Sequence, residues 1–121
     1  SLSYPIYRNN HLHSCVYSKT KDEYGYIPFS LDAPSLQEVQ GIGLGGCLIK
    51  REVIERVIED NPFRISFNAS GDIETGDDIR FCQVAQKIGF KIFCDFSIKA
   101  DHYKLVSLNS IWDNFVLGGK Q

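Results

Sequence analysis

No apolar run in the chain approaches the roughly 20 residues that a bilayer-spanning helix needs, and no basic-then-apolar signal segment opens it. An excess of one charge is also missing. Thirteen Lys and Arg stand against fifteen Asp and Glu, a net charge of −2, which leaves no electrostatic basis for nucleic acid or an anionic membrane as partner. There is no C-x-x-C pair. Cys15, Cys47, Cys82 and Cys94 are scattered and mostly in apolar surroundings, which favours reduced thiols over a two-disulfide framework. Methionine is absent as well. A chain that begins Ser-Leu without Met reads as a piece excised from a longer protein, though loss of an initiator explains it equally. The Asn68-Ala69-Ser70 sequon, with no secretion signal beside it, reads as accidental. These absences lead us to expect a soluble, cytoplasmic chain with no transmembrane segment.

What is present suits one domain: 121 residues, 43% hydrophobic and 23% charged, enough for a modest core. Residues 1–35 lack a sustained period and are punctuated by Pro5, Pro28 and Pro34, so they read as an extended segment wrapping a scaffold. Order begins near Val39. Cys47-Leu48-Ile49 is a short apolar run suited to a buried strand. Residues 51–60 turn helical, with Val53, Ile54, Val57 and Ile58 on one stripe and a Glu52–Arg56 pair at i,i+4. Asn61-Pro62 stops that helix. A strand over 63–67 and a turn over 68–71 follow. A second helix is expected over 77–88, burying Ile79, Cys82, Ala85 and Ile88, with Gly89 as a left-handed cap. Residues 91–95 read as a strand, 97–103 as another strand or an extended loop, and Ile111, Trp112, Phe115 and Val116 as a short closing helix. The sum is a mixed α/β half-sheet with two or three flanking helices.

Several constellations could carry chemistry. Gly41-x-Gly43-x-Gly45 offers backbone that an anion could approach, but it runs into an apolar strand where a phosphate loop needs a helix, so a flat, side-chain-free floor or a tight strand entry is the better reading. Asp77-Asp78 at a helix start has a structural explanation, a Thr75-x-x-Asp78 capping box. It also has a functional one, because crowded carboxylates raise one apparent pKa and suit a general base. Asp72 and Glu74 nearby make an acidic metal loop conceivable, without the calcium-loop pattern. His102 is a lone histidine after a strand, ordinarily structural, yet suited to a divalent metal touching a diphosphate. His11, His13 and Cys15 share a face if extended, but no further cluster completes a zinc site.

The ordered run of these motifs resembles the acceptor-side half of a family-two glycosyltransferase with the GT-A fold, over about residues 24 to 103. Val39 to Ile54 looks like the family segment that runs along the acceptor floor into a helix. Asn61-Pro62-Phe63 matches the Pro-aromatic pair that ends it. Gly76-Asp77-Asp78-Ile79-Arg80-Phe81-Cys82 resembles the Gly-Glu-Asp-x-x-Phe-Cys signature, with Asp for Glu at 77. Lys87 to Asp95 resembles the helix-to-strand passage that follows, and His102 falls where the family often carries a metal-ligating histidine. The resemblance implies a partial GT-A-like mixed sheet, with residues 1–35 wrapping it and 36–121 forming the C-terminal half of such a domain.

It further implies Asp78 as the base that takes a proton from the acceptor hydroxyl, with Asp77 supporting it or contacting the acceptor. Gly45 and Gly46 would face the substrate. His102 would help hold manganese or magnesium against the diphosphate of a nucleotide-sugar donor, and the acceptor would be a glycan or another hydroxyl compound. The family's Asp-x-Asp motif lies upstream, and Asp72-Ile73-Glu74 imitates it in the wrong place. The chain is therefore expected to be inactive without a nucleotide-binding half. The alternatives are a non-catalytic carbohydrate-binding or assembly module on the same scaffold, and a glycoside hydrolase. Adjacent carboxylates are poorly placed to flank a sugar, which counts against the hydrolase.

Overall fold

The computed structural model describes residues 1–8, 11–20, 25–28 and 33–113, and shows a mixed α/β arrangement of small sheets with three α-helices among those residues. The N-terminal segment supplies β1 (Leu2–Ser3), β2 (Pro5–Arg8), β3 (His11–Ser14), β4 (Val16–Lys19) and β5 (Tyr26–Pro28). Then come β6 (Leu36–Val39), β7 (Gly41–Ile42), helix α1 (Arg51–Val57) running into a 3-10 turn at Ile58–Asp60, β8 (Ser66–Phe67), β9 (Ile73–Thr75), α2 (Asp77–Lys87), β10 (Ile92–Lys99) and α3 (Leu108–Ile111).

Strand β10 organises the fold. It pairs antiparallel with β6, Ile92 opposite Val39 and Asp95 opposite Leu36, and parallel with β1 across a register irregularity. A second sheet has the order β5-β4-β7, with Val16 opposite Ile42, and two hairpins, β2-β3 and β8-β9, complete the strands. The period-2 alternation of β10 sends Cys94 and Phe96 inward, both 2% exposed or less, while Phe93 faces outward. They join Cys15, Val16, Val39, Ile42 and Cys82 in one core cluster, and Val57, Phe81, Val84 and Ala85 form a second. Helix α2 belongs to both, which fixes its N-terminus beside the loop after β7.

Several expectations need correction. Residues 1–35 are more than a wrapping segment: β4 is built into a sheet and Cys15 and Val16 into the core, because Val16 and Tyr17 pair with β7. The run 47–49 is not a buried strand; no strand spans it, and Leu48 is 99% exposed. The strand expected over 63–67 shrinks to β8, while the one expected over 91–95 extends to Lys99. On α1 only Val57 is fully buried, and Ile54 and Ile58 remain exposed. On α2 the buried residues are Phe81, Cys82, Val84 and Ala85, with Ile79 and Ile88 half-buried at the edges.

The Glu52–Arg56 pair does not form. Arg51 pairs with Glu55 at 2.7 Å, and Arg56 lies over the Phe90 ring at 4.9 Å, donating to the Ile88 carbonyl. Gly89 does take the left-handed conformation expected of a helix terminator, with φ of 105°. The closing helix is α3; Phe115 and Val116 lie outside the described residues. All four cysteines are free, and among the described residues no helix is long and apolar enough to cross a membrane.

Candidate functional site

The α2 start is built without a capping box. Thr75 ends β9, Gly76 is the N-cap with no side-chain cap bond, and Asp77 and Asp78 occupy the first turn. There the carboxylates meet the positive end of the helix dipole. Asp77 is exposed, and its Oδ1 accepts the backbone N–H of Asp78 at 3.0 Å. Asp78 is half-buried and turns toward the glycine loop, where its Oδ2 accepts the Leu44 N–H at 3.2 Å. Burial pushes the Asp78 carboxyl above its ordinary value of 3.8; the Leu44 bond opposes this and the charge of Asp77 adds to it. One carboxylate oxygen is thus committed to holding the loop, and Oδ1 of Asp78 is the atom left to take a proton.

The glycine loop has an occupant of its own. Tyr4, between β1 and β2, lays its phenol across Gly43 and Gly45. A Cβ on Gly43 would collide with the Tyr4 hydroxyl, and one on Gly45 would stand 2.8 Å from that oxygen and 2.9 Å from Cζ. The Gly45 N–H donates to the Tyr4 hydroxyl at 3.3 Å. The missing side chains at Gly43 and Gly45 make room for this ring, which covers the loop. Desolvation raises the Tyr4 pKa, and the Cys15 and Asp78 charges act on it in the same direction. A phenol held neutral in this way serves as a hydrogen-bond donor or acceptor.

His102 also meets the Tyr4 ring. It follows β10 in an exposed stretch, and its imidazole meets Tyr4 edge-on with centroids 5.3 Å apart. Its Nδ1 lies 2.9 Å from the Pro5 carbonyl. A carbonyl only accepts, so Nδ1 is the donor in this contact; in the neutral ring that leaves Nε2 as the acceptor. Among the described residues no group of three or more His, Cys, Asp and Glu side chains is gathered for a metal.

The residues singled out in the sequence are thus partly assembled. Gly45 and His102 meet Tyr4, by a hydrogen bond and a ring contact, and Asp78 bonds the adjoining Leu44 N–H. Gly46 faces elsewhere, its carbonyl accepting the Ser1 hydroxyl at 3.2 Å. Asp77 stands outside the cluster. Asp72 and Glu74 are exposed on the β8-β9 hairpin and its turn, where the Asp72 N–H caps Asn68 Oδ1. Cys15, one of the three residues weighed as zinc ligands, is buried in the core. Tyr4 is the residue that sequence reasoning missed. Nothing in the sequence pointed to it, since glycines two residues apart do not by themselves announce a ring packed on them.

Comparison with protein-family models, curated proteins and solved structures finds no match to this chain.

Proposed function

We propose that the chain is the acceptor-side portion of a nucleotide-sugar-dependent glycosyltransferase with GT-A-like architecture, acting with a nucleotide-binding portion in the cytoplasm. The observation that carries this reading is the half-buried Asp78 carboxyl, raised in pKa and set at a helix start, where it holds the glycine loop that Tyr4 covers. An inverting transfer needs a base that lifts the proton from an acceptor hydroxyl as its oxygen attacks the anomeric carbon. Asp78 Oδ1 would take that proton, and Asp77, bonded to the Asp78 N–H, would keep the local charge high. Tyr4 and the backbone of Gly45 would shape the floor on which a glycan or other hydroxyl acceptor rests. His102 Nε2 would contribute one ligand to manganese or magnesium, which when bound supplies charge stabilisation for a departing nucleoside diphosphate.

A second reading, a non-catalytic carbohydrate-binding or assembly module, draws on one observation: Asp78 already has a structural task in holding Leu44. Turnover separates the two. The full-length protein carrying this chain, incubated with a panel of nucleotide sugars, manganese and a hydroxyl-acceptor library, is expected to release nucleoside diphosphate in an acceptor-dependent manner. Glycan binding without release under any donor would favour the module.

A further inference from the structure

Helix α2 bonds the segment from Gln40 to Leu44 at every second residue. Gln86 Nε2 donates to the Gln40 carbonyl at 2.9 Å, the Cys82 thiol donates to the Ile42 carbonyl at 3.8 Å, and Asp78 Oδ2 accepts the Leu44 N–H at 3.2 Å. Asp78, Cys82 and Gln86 stand at i, i+4 and i+8, so the three bonds come from one stripe of the helix. The same segment is also held by the chain from Cys15 to Tyr17. The Gln40 N–H donates to the Tyr17 carbonyl at 3.0 Å, Gly41 pairs with Tyr17, and the Gly43 N–H donates to the Cys15 carbonyl at 2.8 Å. That pairing stops one residue short of the N–H that meets the carboxylate. Beyond it Tyr4 takes over, its hydroxyl accepting the Gly45 N–H at 3.3 Å. Tyr4 is anchored to the same place through its backbone, since its carbonyl accepts the Cys15 N–H at 3.1 Å.

We infer that Tyr4 is a positioning residue for Asp78: by holding the Gly45 N–H, its hydroxyl fixes the turn that presents the Leu44 N–H to Oδ2 and keeps Oδ1 as the oxygen that takes the proton. The role rests on the reading of Asp78 as the base, and in it Tyr4 touches no reacting atom. Three consecutive peptides carry the effect. The outer two are bonded to Cys15 and to Tyr4, and the middle one supplies the N–H to the carboxylate. With glycine on either side of Leu44, that middle peptide has more freedom to rotate than other residues would allow, and the two flanking bonds remove it. The Leu44 side chain packs against both core clusters, so the turn is anchored in place and Tyr4 governs the direction of its N–H groups.

Amide hydrogen exchange of the 121-residue chain and turnover of the full-length protein test this together, using Tyr4→Phe, which removes the hydroxyl and keeps the ring. The Leu44 amide is expected to exchange about tenfold faster or more in Tyr4→Phe. Its rise should exceed that of Val84 inside α2, which reports the general loss of stability. In turnover, kcat is expected to fall about 5- to 10-fold with KM held within about twofold, because the ring still covers the loop while the base is misplaced. Leu44 protection that is unchanged in Tyr4→Phe, or that falls only as far as that of Val84, overturns the positioning role and leaves Asp78 as the base. A rise in KM at constant kcat overturns it too and makes Tyr4 a binding residue. Full turnover by Asp78→Asn overturns the base reading itself, a failure that leaves the exchange result as it stands.

Discussion

Asp78→Asn is expected to lower kcat/KM for glycosyl transfer by about 10²–10⁴-fold in the full-length protein, with the fold intact. The size follows from the role: removing a positioned general base forfeits its whole share of proton transfer. The fold survives because asparagine keeps a carbonyl oxygen where Asp78 Oδ2 accepts the Leu44 N–H, so the glycine loop retains its tether. Asp78→Ala provides the structural control. It leaves the Leu44 N–H unpaired, at a cost of about 1–3 kcal/mol to the extent that water is excluded there. Initial rates of nucleoside diphosphate release, measured alongside thermal midpoints, separate the two variants. A fully active Asp78→Asn enzyme would leave Asp78 with its structural task alone.

Gly43→Ala is expected to destabilise the chain by about 1–3 kcal/mol, a drop of several degrees in thermal midpoint. The new methyl would collide with the Tyr4 hydroxyl and stand 3.1 Å from Cζ, and behind it Cys15 Cβ lies at 3.4 Å. Tyr4 cannot simply swing aside, because the Gly45 N–H and the His102 ring hold it. Tyr4→Phe alone should cost about 0.5–1.5 kcal/mol through the lost Gly45 bond. In the Tyr4→Phe background, Gly43→Ala should cost less than it does in the wild type, since the atom it strikes is gone. Chemical denaturation of the four proteins reads this coupling directly. Additive penalties would mean that the loop and the ring do not share the contact described.

The elements legible in the sequence were those with local periodicity. Helix α2 could be placed over 77–88 because Cys82 and Ala85 recur at helical spacing and Gly89 ends it, and the observed element differs by one residue. Of strand β10 only the first half was placed, as 91–95, with its continuation to Lys99 assigned to a separate strand or loop. The N-terminal strands were not, because each has four residues or fewer and owes its existence to pairing with distant partners, as Val16 does with Ile42. Composition cannot announce such a strand. The run 47–49 misled for the opposite reason: its residues favour a strand, but no neighbour among the described residues completes one.

The candidate site divides in the same way. Asp77 and Asp78 stood out as adjacent carboxylates at a helix start, and His102 as a lone imidazole whose suggested role came from the resemblance. What sequence could not reveal is that Tyr4 meets His102 and covers the glycine loop that Asp78 holds, since its bond partner Gly45 lies 41 residues away. Nor could it tell which carboxylate turns inward. That is decided by Leu44, whose N–H the fold brings within 3.2 Å of Asp78 and not of Asp77.

Carbon-detected NMR titration of the carboxyls in the 121-residue chain tests most directly whether Asp78 is poised as a base. The expected result is a midpoint for Asp78 above 3.8 that falls when Asp77 is replaced by Asn. Such a raised folded-state value means that the stability linked to Asp78 is present below pH 3.8 and is lost as pH rises through the folded midpoint. An Asp78 that titrates at or below 3.8, and ignores Asp77→Asn, would contradict the assignment.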